Sequence, residues 1–293
     1  MTLQKVPMVE GNEFVMGFRK QNVWTQWIAL AFFFGKIGAG IFILSVFMGT
    51  PLLALAGIII ENIGKGGALL IHLGRPERFW RAIARPSTSW IARTVLVMGI
   101  FTVAGVIYIL LPAGSAAWEF FRVLALISAV MVAITDGFVM NDSPAIPLWN
   151  TPMVPFLFLL YSLLGGTTVF YFLVHGGWVN ANPLINLETL ATALILINLI
   201  GVVIYLLSVV NATAAARESL WLLIKGPYAG MFFGFVVGIG FLFTLLLSLF
   251  VGASGGTVAV GLITLADLVG HFFIFYLLLQ VGVYSPVLGK LTI

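Results

Sequence analysis

Long apolar runs, separated by short polar stretches, make up this chain from residue 24 onwards. A helix needs about 20 mostly apolar residues to cross the hydrocarbon core of a bilayer. The runs that reach this length predict eight transmembrane helices, at residues 24–48, 51–72, 89–111, 117–140, 152–175, 187–211, 229–251 and 257–284. Their continuity excludes barrel strands, which alternate over about ten residues. We therefore predict an all-α, polytopic membrane protein whose eight helices form two packed four-helix bundles.

The polar stretches define the domain limits. Residues 1–23 form an N-terminal segment, residues 24–285 the membrane domain, and residues 286–293 a C-terminal tail. Within the membrane domain, we expect residues 24–140 to form the first bundle and residues 152–284 the second. The N-terminal segment lacks the short apolar core of a cleavable signal, so we expect the first span to remain in the mature protein.

Basic residues collect at one end of the predicted helices, here called side A. The Lys and Arg residues on this side are Lys5, Arg19, Lys20, Arg75, Arg78, Arg81, Arg85, Arg93, Arg217, Lys225 and Lys290. The opposite loops contain no Lys or Arg, and Arg122 alone lies towards their side, one turn into the fourth span. The positive-inside rule then makes side A cytoplasmic. An even number of spans places both termini there, and we expect the chain in the inner (cell) membrane of a prokaryote.

Composition supports the membrane class and narrows the chemistry. Hydrophobic residues make up 61% of the chain and charged residues 8%, against about 45–50% and 25% in soluble domains. The absence of cysteine excludes disulfides, cysteine-ligated zinc and iron–sulfur clusters. His72, His175 and His271 fall at different depths, and the carboxylates are scattered, so we expect neither haem nor another metal. The net charge of +4 reflects the loops and does not indicate nucleic-acid binding.

Several ionisable residues lie inside apolar runs, where each charge costs about 2.5–3.5 kcal/mol at the bilayer centre. They are Lys36, Glu61, Lys65, Asp136, Asp267 and His271. Lys36 and Glu61 fall at similar depth and could meet at mid-membrane, whereas Asp136 falls closer to side A and could face water. Such charges either form ion pairs that fix helix register or provide a proton route. For the second case the candidates are Lys36, Glu61, Lys65, Asp267 and His271.

Three motifs resemble a known family. They are His72-Leu-Gly-Arg-Pro-Glu-Arg-Phe-Trp-Arg-Ala followed by Thr88-Ser-Trp-Ile-Ala-Arg93, then Pro147-Leu-Trp-Asn-Thr-Pro152, and the glycine-rich Phe34-Gly-Lys-Ile-Gly-Ala-Gly40. They resemble the NrfD/PsrC (polysulfide reductase) membrane subunits and the related DmsC-type anchors. The resemblance implies eight helices and a quinone site, for menaquinone or ubiquinone, in the first bundle. It also implies an iron–sulfur (ferredoxin-like) subunit and a catalytic, molybdopterin-type subunit docked on side A, besides the membrane lipids.

The resemblance also implies which residues form the quinone site. On the matching motifs these are His72, Arg75, Arg78, Trp90, Arg93, Thr135 and Asp136. Two positions depart from the family pattern: Thr94 stands where DmsC-type members have Glu, and Thr135 stands where many NrfD-like members have Tyr. Asp136, beside Thr135, is a hypothetical substitute for that polar group. The implied function is electron exchange between the quinone pool and the iron–sulfur subunit of a respiratory oxidoreductase complex, with possible proton translocation.

Two other function classes remain open. A secondary transporter or ion channel also fits glycine-interrupted spans with buried charges, although residues 24–140 and 152–284 show no convincing internal repeat. A passive anchor fits less well, because it has no use for costly charges at mid-membrane.

Overall fold

The structure is a computed structural model and describes residues 17–181, 185–250 and 252–285. The expectations for Lys5 and Lys290, for the N-terminal segment up to residue 16 and for the tail at 286–293 fall outside the described residues.

The described residues are almost entirely helical, and eight helices among them are long and apolar enough to span a membrane. These are α1 (Gln26–Phe47), α2 (Pro51–His72), α3 (Trp90–Leu110), α4 (Ala116–Asn141), α5 (Met153–His175), α6 (Leu187–Val209), α8 (Ala229–Phe250) and α9 (Gly256–Gln280). A shorter helix, α7 (Ala214–Ile224), lies between α6 and α8. The all-α fold with eight spans is thus confirmed.

Polar residues fix where several helices begin. The side chains of Ser89, Ser115 and Asn186 accept hydrogen bonds from backbone N–H groups in the first turns of α3, α4 and α6. Thr213 does the same for α7, a helix that the sequence did not predict within its side-A loop. Two spans contain π-helical turns, at Ile60–Gly66 in α2 and at Phe232–Phe243 in α8.

The end of the eighth span differs from the prediction. The helix ends at Gln280, and Val283–Tyr284 forms a short strand, β2, that pairs antiparallel with β1, Arg19–Lys20. The Gln21 side chain strengthens this junction, since its Nε2 donates to the Leu279 carbonyl at 2.7 Å. The expectation of helix up to residue 284 was wrong because these backbone groups find partners in β1 instead.

The helices pack as two connected groups. Contacts link α1 to α2, α2 to α3, α3 to α4 and α4 back to α1; a second circuit runs through α5, α6, α8 and α9. The contacts thus form two circuits of four helices each. Further contacts of α5 with α1 and α4, and of α9 with α1, join the bundles, so α1 and α5 lie at the centre of the molecule.

Glycines allow α1 and α5 to touch backbone to backbone. A Cβ atom on Gly40 would lie 1.9 Å from the Ser162 carbonyl oxygen, and one on Gly166 would lie 2.3 Å from the Gly40 carbonyl carbon. In lipid, helices associate mainly through van der Waals packing, since burial from water does not drive them together. Small residues at a crossing let the two backbones approach closely and so improve that packing. The two bundles therefore meet at a contact that tolerates no added side chain.

Candidate functional site

Four ionisable side chains converge inside the first bundle, and we call them the ion cluster. They are Lys36 on α1, Glu61 and Lys65 on α2, and Asp136 on α4. None of them is more than 4% exposed. Burial to this extent is unusual for ionised residues unless they are paired.

Asp136 is the centre of the ion cluster. Its Oδ2 atom lies 2.7 Å from the Lys36 ammonium, and both of its oxygens lie 2.9 Å from the Lys65 ammonium. Lys36 also donates to the Val132 carbonyl at 2.7 Å, one turn earlier on α4. One carboxylate thus joins three helices and partly offsets the charge of two lysines.

This geometry bears on two expectations. Lys36 and Glu61 lie in the same cluster, but the Lys36 ammonium reaches across to α4 and forms its ion pair with Asp136. The expectation that Asp136 could face water was wrong, since it is 4% exposed and enclosed by the two lysines. The reason is that α1 packs against both α2 and α4, which places α4 within reach of the α1 lysine.

Glu61 differs from the other members of the ion cluster. It is fully buried, and neither of its carboxyl oxygens has a hydrogen-bond partner among the described residues. It lies in the π-helical turn of α2, a rare helix form that is frequent at functional sites. Within the described part of the chain, Glu61 is therefore the member of the ion cluster whose charged group is not held by a hydrogen bond.

Glycines on α1 determine how closely α2 approaches. A Cβ atom on Gly38 would lie 2.8 Å from the Glu61 backbone nitrogen, and one on Gly35 would lie 2.7 Å from the Lys65 side chain. The glycines that flank Lys36 in the sequence thus make room for the two charged residues of α2. The glycine-rich motif in the middle of α1 serves the ion cluster in this way.

The other residues predicted for the quinone site, apart from Thr135 and Asp136, lie at one end of the first bundle. We call this end, residues 72–93, the rim. His72 ends α2 and is half-buried, with its Nδ1 atom 3.4 Å from the Thr25 hydroxyl at the start of α1. Its Nε2 atom makes no hydrogen bond within the described part of the chain. Arg75 and Arg78 are exposed, and no hydrogen bond or ion pair in that part joins either to His72.

Trp90 and Arg93 form a stack at the start of α3. The Trp90 ring lies flat on Phe138 of α4, with 4.5 Å between ring centroids, and the Arg93 guanidinium lies 4.4 Å from the Trp90 centroid on α3. Arg93 also donates to the carbonyls of Pro86 and Ser87, at 2.8 and 2.7 Å. Arg93 therefore holds the end of the preceding loop in place.

The structure does not gather all seven predicted quinone ligands at one point. Asp136 belongs to the ion cluster, and both of its oxygens are bound by lysine. Thr135 is fully buried, and its hydroxyl has no partner among the described residues. His72 and Trp90 remain at the rim, at the ends of two neighbouring helices.

A second polar group, which we call the histidine cluster, lies between α5 and α9. Asp267 accepts a hydrogen bond from the Thr168 hydroxyl at 2.8 Å, and Thr264 donates to the Thr168 carbonyl at 3.0 Å. His271 lies one helical turn from Asp267, and its ring centroid is 4.7 Å from that of Tyr161. Both His271 nitrogens and the Tyr161 hydroxyl are buried without a partner in the described residues.

Sequence reasoning missed the α5 members of the histidine cluster and the link between the clusters. Tyr161, Ser162 and Thr168 were visible as polar residues in an apolar run, but nothing in the sequence paired them with α9. The Ser162 hydroxyl donates to the Lys36 backbone carbonyl at 2.8 Å, beside the glycine crossing. Within the described residues, no three His, Asp or Glu side chains are grouped as metal ligands would be.

Comparison with known proteins identifies the family of this chain. The model of the family described as "Polysulphide reductase, NrfD" matches residues 15–286. The chain belongs to the NrfD family. It is therefore a multi-pass membrane protein of this family, as the motifs around His72 and Arg93 predicted.

Two curated relatives match over shorter stretches. A subunit of the sulfite dehydrogenase of Allochromatium vinosum is 59% identical over 34 residues, which cover 12% of this NrfD-family protein and 10% of the relative. One chain of the anaerobic dimethyl sulfoxide reductase of Haemophilus influenzae is 29% identical over 122 residues, covering 40% of this protein and 43% of the relative. Each match thus spans less than half the length of the relative.

Proposed function

We propose that this chain is the quinone-reactive membrane subunit of a respiratory oxidoreductase complex, and that it exchanges electrons between the quinone pool and an iron–sulfur subunit. The observation that carries the proposal is the position of His72. It lies on the same helix as Glu61 and Lys65, about 10 Å from Lys65 along the axis. A polar rim group above a buried ionisable cluster is what proton-linked redox chemistry at a membrane requires.

The rim residues suit a quinone. His72 offers a quinone oxygen its Nε2 atom, which makes no hydrogen bond within the described residues, and an imidazole can act as a general acid or base. The stacked rings of Trp90 and Phe138 add apolar surface of the kind that lines small-molecule sites. Bound there, a quinone would supply two-electron, two-proton redox chemistry, for which His72 orients a carbonyl and exchanges a proton. Arg93 positions the loop, and the choice between menaquinone and ubiquinone stays open.

The ion cluster is the proposed internal end of a proton route. Two ammonium groups and the Asp136 carboxylate sum to one positive charge, and an ionised Glu61 would make the cluster neutral. Since no group of the described residues donates a hydrogen bond to its oxygens, Glu61 can bind or release a proton without breaking such a bond. Asp267 and His271 would extend the route into the second bundle, past Ser162 and Lys36.

The partners follow from the same proposal. The names of both relatives mark each of them as one component of a multi-subunit enzyme. We propose that an iron–sulfur subunit, and through it a catalytic subunit, docks on side A. Side A is proposed to face the cytoplasm because of its excess of basic residues.

His72→Ala in the intact complex tests the quinone site. We expect quinol turnover to fall on the order of a hundredfold, the usual loss when a proton-exchanging group is removed, while the partner proteins still co-purify. The matched control is His175→Ala, because His175 ends α5 on the side of the membrane opposite to His72. This variant should keep normal turnover. Normal turnover in His72→Ala would refute the assignment.

Glu61→Gln tests the proton route. The measurement is the number of protons taken up per electron pair by the complex in liposomes, and we expect the variant to lower it. Glu77→Gln, whose side chain is 67% exposed in the rim loop, controls for the loss of a carboxylate. An unchanged proton count with Glu61→Gln would remove this residue from the route.

A further inference from the structure

The loop between α2 and α3 has surface properties that the proposed function does not use. Its central part, Pro76–Ile83, is a 3-10 helix in which no residue is buried. We call residues 73–88 the basic loop. It carries Arg75, Arg78, Arg81 and Arg85 against a single carboxylate, Glu77.

The helix type places the charges on one side. A 3-10 helix has three residues per turn, so residues three apart in sequence lie above one another. Arg78 and Arg81 are therefore adjacent on one face, with Arg75 immediately before the first turn. Within the described residues, the ion pair of the basic loop is a loose one, with 3.9 Å between Arg78 Nε and Glu77 Oε1. In the described residues Arg75, Arg81 and Arg85 form no ion pair, so most of the positive charge of the basic loop is not balanced there.

The same loop exposes two large aromatic rings. Phe79 is 51% exposed and Trp80 59% exposed, and the described contact of the Trp80 ring is with the neighbouring Arg81, 5.5 Å from its centroid. Exposed Trp residues are typical of the boundary between hydrocarbon and headgroups, where an apolar ring and a polar edge are both accommodated. Exposed rings beside arginines fit that boundary better than bulk water.

Apolar residues connect the basic loop to the lipid-facing surface. Ile71 and Leu73, just before the loop's 3-10 helix, are 59% and 40% exposed, and Ile91, just after the loop, is 52% exposed. The basic loop therefore lies at the perimeter of the first bundle, where an apolar surface on α2 and α3 ends.

We propose that the basic loop binds the headgroup of an anionic phospholipid from the surrounding bilayer. Arg78 and Arg81 would bind the phosphate, because guanidinium groups match its oxygens in bidentate geometry. Phe79 and Trp80 would lie at the level of the glycerol and upper acyl chain. Lipid is favoured over an acidic soluble protein because the loop combines exposed rings with a continuous apolar surface below them.

The test uses the full-length protein in neutral detergent, with bound lipid counted by native mass spectrometry. Phosphatidylglycerol is titrated into the wild type and into the double variant Arg78→Gln/Arg81→Gln. A basic residue near an anionic membrane surface adds about 1 kcal/mol, or roughly fivefold in affinity. We expect the double variant to bind phosphatidylglycerol about 25-fold more weakly, with zwitterionic phosphatidylcholine unaffected.

Matched controls separate a site from general charge. Arg217→Gln/Lys225→Gln removes two exposed basic residues elsewhere on side A and should leave phosphatidylglycerol binding unchanged. Soluble glycerol phosphate should not displace the lipid, since it lacks the acyl groups that Phe79 and Trp80 contact. Equal lipid binding by the Arg78/Arg81 variant, an equal loss in the control variant, or cross-linking of Trp80 to a soluble subunit in the intact complex would overturn the proposal. None of these readouts depends on quinol turnover.

Discussion

The ion cluster and the histidine cluster both bury ionisable side chains, but they offset the cost of burial in different ways. The ion cluster in the first bundle brings opposite charges into contact, with Asp136 between two lysines. The histidine cluster in the second bundle has no ion pair among the described residues, and Asp267 receives a hydroxyl hydrogen bond instead. Burying a charge costs several kcal/mol unless a partner offsets it. The first bundle thus depends on charge balance, whereas the second depends on hydrogen bonds and ring packing.

This difference bears on function. A cluster of paired charges can accept a proton at one member while the others keep their hydrogen bonds, and among the described residues the Glu61 carboxyl group makes no such bond. In a cluster without ion pairs, a residue that gains or loses a proton has no charged neighbour to stabilise its new charge. The paired charges of the ion cluster therefore lie on one side of the α1–α5 crossing, and the ionisable groups of the histidine cluster, which have no ion pair among the described residues, lie on the other.

Asp136→Asn should have the largest effect on stability. The substitution leaves two buried ammonium groups facing an amide that cannot neutralise them, and breaking a buried pair costs about 3–5 kcal/mol. The measurement is the thermal or denaturant-induced unfolding of the purified protein in a fixed detergent. A loss below about 1 kcal/mol, the size of a single neutral hydrogen bond, would mean that the lysines find other partners and that the first bundle does not depend on charge balance.

Gly40→Ala should come next, because it acts where the two bundles meet. Its Cβ atom would lie 1.9 Å from the Ser162 carbonyl oxygen, so α1 and α5 must separate, at the upper end of the about 1–3 kcal/mol typical of overpacking. Gly66→Ala is the control, since nothing lies within 4 Å of the added atom on α2. Equal unfolding midpoints for the two variants would contradict a close backbone crossing.

Asp267→Asn should have the smallest effect. An asparagine keeps the oxygen that accepts from Thr168 and removes a charge that no described cation balances, so we expect a change below about 1 kcal/mol in either direction. The same unfolding assay as for Asp136→Asn gives the direct comparison. A loss as large as that of Asp136→Asn would show that Asp267 also has an essential charged partner.

The sequence predicts the spans well and the contacts between them poorly, for a physical reason. A backbone in lipid must satisfy its own hydrogen bonds, so a long apolar run forms a helix whatever its neighbours are. The Lys36–Asp136 pair, in contrast, depends on which helices pack together and how they are rotated. The π-helical turn around Glu61 and the strand pairing of Val283 likewise depend on neighbours distant in the sequence.

For the candidate site, too, the sequence predicts which residues matter but not which of them are in contact. The sequence singles out His72, Glu61 and Lys65 because of their residue types and the surrounding apolar residues. It could not tell that Asp136 is occupied by two lysines or that Arg93 is bound to loop carbonyls. Such assignments require distances between helices, which hydrophobic periodicity does not contain.

The pairing of β1 with β2 has a consequence for biogenesis. Arg19 and Lys20 leave the ribosome before α1, whereas Val283 and Tyr284 follow α9. The strand that is made first must therefore wait, unpaired, until all eight spans have been inserted. The two strands therefore pair late in assembly, and a tag that becomes protected only when they join would report that the eight described spans are in place.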